Sequence, residues 1–262
     1  MDKFLIRINT FKRYRPLLEQ LVIKDVKLKY RRSFLGYIWS ILNPLMIMLI
    51  MVLVFSHMFR AGIPNFPAYL IIGQSLFGFM QESTNKAMWS ITGNAALLKK
   101  TYVPKYIFTM ATVTSSFVNM LFSLGAMVLV FIVTGVHPNR YMLFIPCILL
   151  QEFVFCLGLG MFLAQGTVFF RDIQYIYSAF LTAWMYATPL FYPIEQLPVW
   201  LQKIIKHLNP MYAYITQFRQ IALNQTFPDP RLILYGTVIA VVMMLFGTWC
   251  FMRNQDKFIL YI

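Results

Sequence analysis

A carboxylate inside an apolar helix can carry a proton, hold a cation or bond to a neighbouring helix. This chain has one such candidate, Glu152, beside Gln151 in the middle of the apolar run 141–170. A functional role and a plain helix-to-helix bond are both open for it. Little else in the sequence could do covalent chemistry. His57, His137 and His207 stand near the ends of apolar runs, where interfacial solvation accounts for them better than metal binding. Cys147, Cys156 and Cys250 lie within apolar runs, without ligand spacing, and read as small packing residues. The phosphate-cradling pattern GxxxxGK[ST] is missing: Gly93 precedes Lys99 and Lys100 without the second glycine. GxSxG, HExxH and CxxC are missing as well. The expectation is therefore a chain that is not an enzyme, with no metal and no cofactor of its own.

The elements that hold these residues are set by hydrocarbon. The chain has 262 residues, 59% hydrophobic and 12% charged, with a mean hydropathy of +0.63. Water-facing domains carry about 25% charged residues, so a single polytopic membrane domain spanning 1–262 is expected. The net charge of +14 would suggest nucleic acid in a soluble protein, but topology explains it better here. A dense basic run, 24–32, stops abruptly, and no charged residue follows until Arg60. Lysine and arginine bury poorly in lipid and favour the cytoplasmic face. The run thus marks where the first span begins and on which side. The mixed, basic first 33 residues do not resemble a cleavable signal.

Runs at 34–55, 68–90, 107–136, 141–170, 173–191 and 232–252 are each apolar and close to the length a membrane helix needs. An even count returns the tail to the starting side. The charges agree. Ten Lys/Arg precede residue 34, four lie between the second and third runs, Arg171 sits in the fourth-to-fifth turn, and Arg253 and Lys257 follow the last run. That leaves six for the opposite side: Arg60, Arg140, Lys203, Lys206, Arg219 and Arg231. The expected architecture is all-α, with six spans and both termini cytoplasmic.

Three segments do not fit a simple span. Residues 16–33 mix Leu17, Leu18, Leu21, Val22, Val26 and Leu28 with charges, and Pro16 suits a first helical position. This reads as an amphipathic helix lying in the cytoplasmic interface. Residues 92–106 form a basic loop with a short helical core, in which Leu97 and Leu98 are expected to be exposed beside Lys99 and Lys100. Such a loop is either a docking peg or an ordinary solvated connection. Residues 194–230 hold an amphipathic helix, 197–208, and a second short helix, 211–223, broken at Asn209-Pro210. Each is too short to cross, so a re-entrant hairpin dipping in from outside is expected.

Four stretches together carry a family resemblance: KLKYRRSFLGYIWSILNP at 27–44, LKKTYVPK at 98–105, FFRDI at 169–173, and ATPLFYP at 187–193 followed by NPM at 209–211. The chain resembles, over nearly its whole length, the permeases of type-2 ABC exporters that move polysaccharides (O-antigen, capsule) and teichoic acids. The resemblance implies a cell-membrane (inner-membrane) homodimer served by two ATP-binding cassette subunits, with ATP and magnesium on those partners. It implies that 16–33 is the interface helix. Leu97, Leu98, Lys99 and Lys100, with Arg171 and Asp172, would contact the ATPase. The 197–223 hairpin would be the outer gate, with Trp200, Ile204, Leu208 and Pro210. The usual cargo of the family is a glycan on a polyprenyl diphosphate. Arg31 and Arg32 are candidates to contact that diphosphate, or else serve only as topology determinants.

Tyrosine and tryptophan offer a flat apolar face to a sugar ring and a polar tip to its hydroxyls. Tyr37, Trp39, Tyr175, Tyr177, Phe180 and Trp184 are accordingly the expected channel lining. Interfacial belts are the competing account for Tyr37, Trp39 and Tyr175, and a helix interface for Trp184. Other readings are an exporter of drugs or small lipids with the same architecture, a membrane enzyme acting on lipid-linked sugars, and a proton-coupled carrier. The second lacks paired carboxylates or a metal set, and the third lacks ionisable residues beyond Glu152.

Overall fold

The structure, a computed structural model, describes residues 2–31, 35–55 and 63–261. Arg32, His57 and Arg60 fall outside the described residues. Ten α-helices follow one another among the described residues: α1 (Asp2–Tyr30), α2 (Trp39–Phe55), α3 (Phe66–Trp89), α4 (Ala95–Lys100), α5 (Tyr106–Val133), α6 (Ile145–Phe169), α7 (Ile173–Ala187), α8 (Val199–Leu208), α9 (Pro210–Ala222) and α10 (Pro230–Asn254). The protein is all-helical over the described residues, with no strand.

Four stretches are long and apolar enough to cross a membrane: Gly36–Phe55, Tyr106–Val133, Arg140–Phe169 and Pro230–Leu260. The other two expected spans are helical but of different character. α3 is the hub of the bundle, packed against α2, α5, α6, α7 and α9. Ala68, Ile71, Ile72, Leu76 and Met80 are fully covered. Toward its C-terminal end α3 turns polar: Gln81 and Lys86 are exposed and Glu82 is partly so. α7 has 15 residues, about 22 Å at helical rise, and buries only Tyr177 and Leu181.

α1 runs unbroken past Pro16, which therefore lies inside the helix and not at its first position. Pro16 is exposed, so water can bond the carbonyl that its missing N–H leaves free. Tyr14, Leu17 and Leu21 pack against the bundle core, and Val26 is buried. These residues recur at helical spacing on the side that meets α5. Leu28 departs from the expected apolar face and is exposed.

Three glycines are required by geometry. Gly135 has φ +71° and ends α5: Val136 N–H donates to the Phe131 carbonyl at 2.9 Å and Gly135 N–H to that of Ile132 at 3.4 Å. This left-handed cap satisfies the last carbonyls of the helix. Gly158 and Gly247 mark the crossing of α6 and α10. A Cβ on Gly247 would collide with the Gly158 carbonyl, and one on Gly158 with the backbone of Met243 and Met244. Only bare backbone permits an approach this close.

The loops gather at two ends. At one, the Asn65 amide donates to the Thr134 carbonyl at 3.3 Å and the Asn139 amide to that of Ile221 at 2.9 Å. At the other, the Tyr14 hydroxyl donates to the Tyr102 carbonyl at 3.1 Å, and the Lys105 ammonium to the Gln255 carbonyl. The second end holds α1, α4 and the Arg171 turn and is rich in lysine and arginine.

Candidate functional site

At the basic end, α4 follows a 3-10 turn, Thr92–Asn94. Lys99 and Lys100 are exposed and Leu97 partly so, but Leu98 is buried, against the expectation that both leucines face outward. A helix of six residues has one side to pack, and Leu98 takes it. The most exposed aromatic side chain there is one that sequence reading passed over, Tyr102, at 91% exposure. Val103 beside it is buried and Pro104 halts the helix before it, so Tyr102 is pushed outward. Arg171 and Asp172 are exposed, and Phe170 next to them is largely so. Arg31 is exposed at the end of α1.

A shallow cleft of about 910 Å3 opens at the same end, lined among others by Asp25, Lys86, Trp89, Asn94, Gln174 and Tyr175. Burial raises the Asp25 carboxyl above its ordinary range, with Lys24 and Lys86 pulling it back. Glu82 ties α1 to α3 by accepting from Lys29 at 2.9 Å and Lys86 at 2.6 Å. Both lysines are part-exposed, so these pairs fix geometry more than they stabilise.

A second cleft, of about 540 Å3, opens between α2, α3 and α5. Ser40 and Asn43 come from α2, Gln74, Ser75 and Gln81 from α3, and Asn119 and Ser123 from α5, with Trp39 and Phe77 among its apolar walls. The Gln74 amide donates to the Pro44 carbonyl at 3.4 Å. Together these amides and hydroxyls give the cleft a polar wall within a largely apolar chain. Sequence reading weighed rings and missed these amides. Their signal was present: 40 and 43, 74 and 81, and 119 and 123 recur on one helix face within otherwise apolar runs.

The six aromatic candidates separate. Tyr37 and Trp39 are exposed on the first span, and Trp39 lines the second cleft. Tyr175 and Phe180 are exposed on α7. Tyr177 is buried and donates to the Thr84 hydroxyl at 2.8 Å. Trp184 stands edge-on to Phe77 and Phe155, and its Nε1–H donates to Asn209 Oδ1 at 2.9 Å. These last two are committed to helix contacts.

The end opposite the basic one is organised by two polar residues. Asn209 caps α9, accepting from Met211 N–H at 3.0 Å, and Pro210 occupies the first helical position. Its amide nitrogen donates to the Thr188 hydroxyl at 2.9 Å. The Asn-Pro pair thus joins the end of α7 to the start of α9. Arg219, on α9, is buried and donates to the carbonyls of Pro189 at 2.8 Å, Tyr69 at 3.0 Å and Leu190 at 3.2 Å. Its guanidinium carbon lies 3.3 Å from the centre of the Tyr69 ring. The Tyr69 hydroxyl donates onward to the carbonyls of Pro189 and Tyr192 at 3.1 and 2.9 Å. The sequence marks Arg219 only as one of six outer-side charges, within the expected short helix 211–223. Its place in an apolar helix facing the carbonyl-rich ATPLFYP turn could have flagged it.

The two helices of this region differ. α9 buries most of its length, including Pro210, Tyr214, Ile215 and Phe218. α8 buries only Ile205 and leaves Trp200, Ile204 and Leu208 exposed. Glu152 is fully buried on α6, and neither carboxylate oxygen has a hydrogen-bond partner among the described residues. No cluster of metal-ligating side chains occurs among the described residues.

Residues 16–223 match the family model for the ABC-2 type transporter. Over 246 residues, 94% of this chain and 95% of the relative, the sequence is 31% identical to the O-antigen export system permease protein RfbA of Myxococcus xanthus. It is 28% identical over 244 residues to the RfbA of Klebsiella pneumoniae, covering 92% of this chain and 93% of that one. It is 23% identical over 211 residues to the capsule polysaccharide export inner-membrane protein CtrC of Neisseria meningitidis, covering 76% of each. An all-helical bundle with four strongly apolar spans, a buried hub helix and a match this extensive place the chain in the ABC-2 type transporter family of membrane permeases.

Proposed function

We propose that the chain is the conduit-forming permease of an ATP-driven exporter, moving a polyprenyl-diphosphate-linked polysaccharide across the cytoplasmic membrane. The observation that carries this reading is the cleft between α2, α3 and α5, with Asn43, Gln74, Gln81 and Asn119 among its lining residues. Amides and hydroxyls beside Trp39 suit a polymer of hydroxyl groups and flat sugar faces. The relatives are O-antigen and capsule permeases, which supports a glycan rather than a drug or small lipid.

In this reading α2, α3, α5, α6, α7 and α10 are six spans. The division of Lys/Arg along the sequence, 17 of 23 in the segments read as cytoplasmic, supports cytoplasmic termini. The chain pairs with a second copy and with two ATP-binding subunits. Those subunits dock on the exposed basic-end residues: Leu97, Lys99, Lys100, Tyr102, Arg171 and Asp172. ATP-driven closure of the partners pushes α1 and α4, and α3 transmits the movement to α9 through Arg219 and Tyr69. α8 and α9 form the re-entrant hairpin on the outer side and gate the exit. Arg31 and Arg32 meet the carrier diphosphate at the inner headgroup level.

Depleting the chain tests the reading. Polymer should build up inside the cell on its lipid carrier while surface glycan is lost. Normal surface glycan after depletion would refute the proposal.

A further inference from the structure

Beyond α10 the chain turns through a short 3-10 segment, Gln255–Leu260. Its first three residues are polar or charged and its last three are apolar. Phe258 is fully buried, whereas Ile259, Leu260 and Tyr261 are exposed. The Phe258 ring stands edge-on to Phe251 of α10, with centres 5.1 Å apart. It stands edge-on also to Phe169, the last residue of α6, at 5.7 Å. Tyr261 makes a second edge contact with Phe169 at 5.0 Å. The Lys105 ammonium lies 5.6 Å from the centre of the Phe258 ring and donates to the Gln255 carbonyl. Asn254, at the end of α10, donates its amide to Gln165 Oε1 on α6 at 2.9 Å.

The partners of this segment matter. Lys105 closes the LKKTYVPK stretch and stands just before α5, and Phe169 opens the FFRDI stretch. In the reading above, neighbours of both residues dock the ATP-binding subunits. Among the described residues, no hydrogen bond, ion pair or ring contact joins 92–105 directly to 169–173. The 255–261 segment touches both. Edge contacts between rings, and a cation near a ring, depend on orientation. The segment therefore fixes how the start of α5 stands relative to the end of α6.

We propose that residues 255–261 form a clasp that makes the two docking stretches move as one, with Phe258 as its positioning residue and Lys105 as its catch. A push on either stretch then shifts α5 and α6 together. With the clasp open, each stretch yields alone, and ATP is hydrolysed without moving polymer. The clasp rests on the ATP-driven reading above and adds to it residues that touch neither cargo nor nucleotide.

The test uses vesicles holding the full-length permease with its ATP-binding partner. Polymer moved and ATP hydrolysed are both measured, and their ratio is the readout. A merely structural role would lower the amount of assembled complex and both rates together, leaving the ratio unchanged. Phe258→Ala should lower the ratio at least threefold, with the ATP-binding subunit still co-purifying. Lys105 is partly exposed, so its variants decide the matter if Phe258→Ala does not reach the membrane. Lys105→Met should lower the ratio at least threefold, and Lys105→Arg, which keeps the cation and its donors, should stay within twofold of the parent. A smaller loss in either Phe258→Ala or Lys105→Met would overturn the clasp while leaving ATP-driven export standing. Equal losses in Lys105→Met and Lys105→Arg would overturn Lys105 as the catch. A parent complex that moves no polymer with ATP would overturn the ATP-driven reading and the clasp with it.

Discussion

Individual polar atoms decide how this apolar chain is held. Asn209 offers the clearest case. It caps α9 and bonds both Trp184 and Thr188, so one side chain ties the end of α7 to the start of α9. Replacing it with alanine should cost about 1 kcal/mol for the cap and about 1 kcal/mol for each further bond. Asn209→Asp keeps the accepting oxygen and should recover part of that loss. Thermal unfolding in detergent would measure both variants. Tyr177 and Trp39 separate structure from transport. Tyr177→Phe removes one bond to Thr84 and should lower stability by about 1 kcal/mol with export unchanged. Trp39→Ala, at a cleft wall, should lower export with stability nearly unchanged. Equal export defects in both would argue against this division. Glu152 yields a third prediction. An uncompensated charge at its position would cost several kcal/mol, so Glu152→Gln, equal in shape and neutral, should be at least as stable as the parent chain in the same assay.

At the scale of elements, the sharpest prediction concerns the crossing of α6 and α10. Gly158→Val or Gly247→Val forces two backbones apart and should destabilise the fold by about 3 kcal/mol, the upper range for overpacking. The loss would appear as a lower unfolding midpoint and less permease in the membrane. What could be read in advance follows from the same physics. Long apolar runs announce helices whatever packs around them, so α2, α5, α6 and α10 stand close to where hydropathy put them. Helix α1 was legible from position 16 onward, but its continuation upstream through Pro16 was not. Nothing in a local pattern shows that an exposed proline's freed carbonyl meets solvent. Leu98 and Leu97 are adjacent and chemically alike, and only packing distinguishes the buried one. The site was less legible than the fold. Aromatic rings drew attention because single rings are conspicuous, yet Tyr177 and Trp184 turn into the bundle while unremarked amides line the cleft. Arg219 was hidden by a sound rule, since charges next to spans are usually solvated.

For the whole molecule, the two ends have different duties. The basic end exposes Leu97, Tyr102 and Phe170 among cations, a surface of the kind that a partner covers. The opposite end buries one of its cations, Arg219, which lashes the ATPLFYP turn to α3 and α9. α3 connects the two, carrying Glu82 near one end and Tyr69 near the other. Force applied to α1 through the Lys29–Glu82 pair therefore has a stiff helix along which to travel. Tyr102→Ala combined with Leu97→Ala should lower the yield of co-purified ATP-binding subunit at least fivefold while leaving insertion intact. Unchanged co-purification would place the partner elsewhere.

The central claim is that polymer passes the amide-lined cleft under power from ATP. It is tested most directly in vesicles holding the permease with its ATP-binding partner, by following ATP-dependent movement of lipid-linked polysaccharide across the bilayer. The parent protein should transport. The Gln74→Leu, Gln81→Leu double variant, with assembly and ATP hydrolysis intact, should do so at least tenfold more slowly. Transport by that variant at the parent rate would contradict the account.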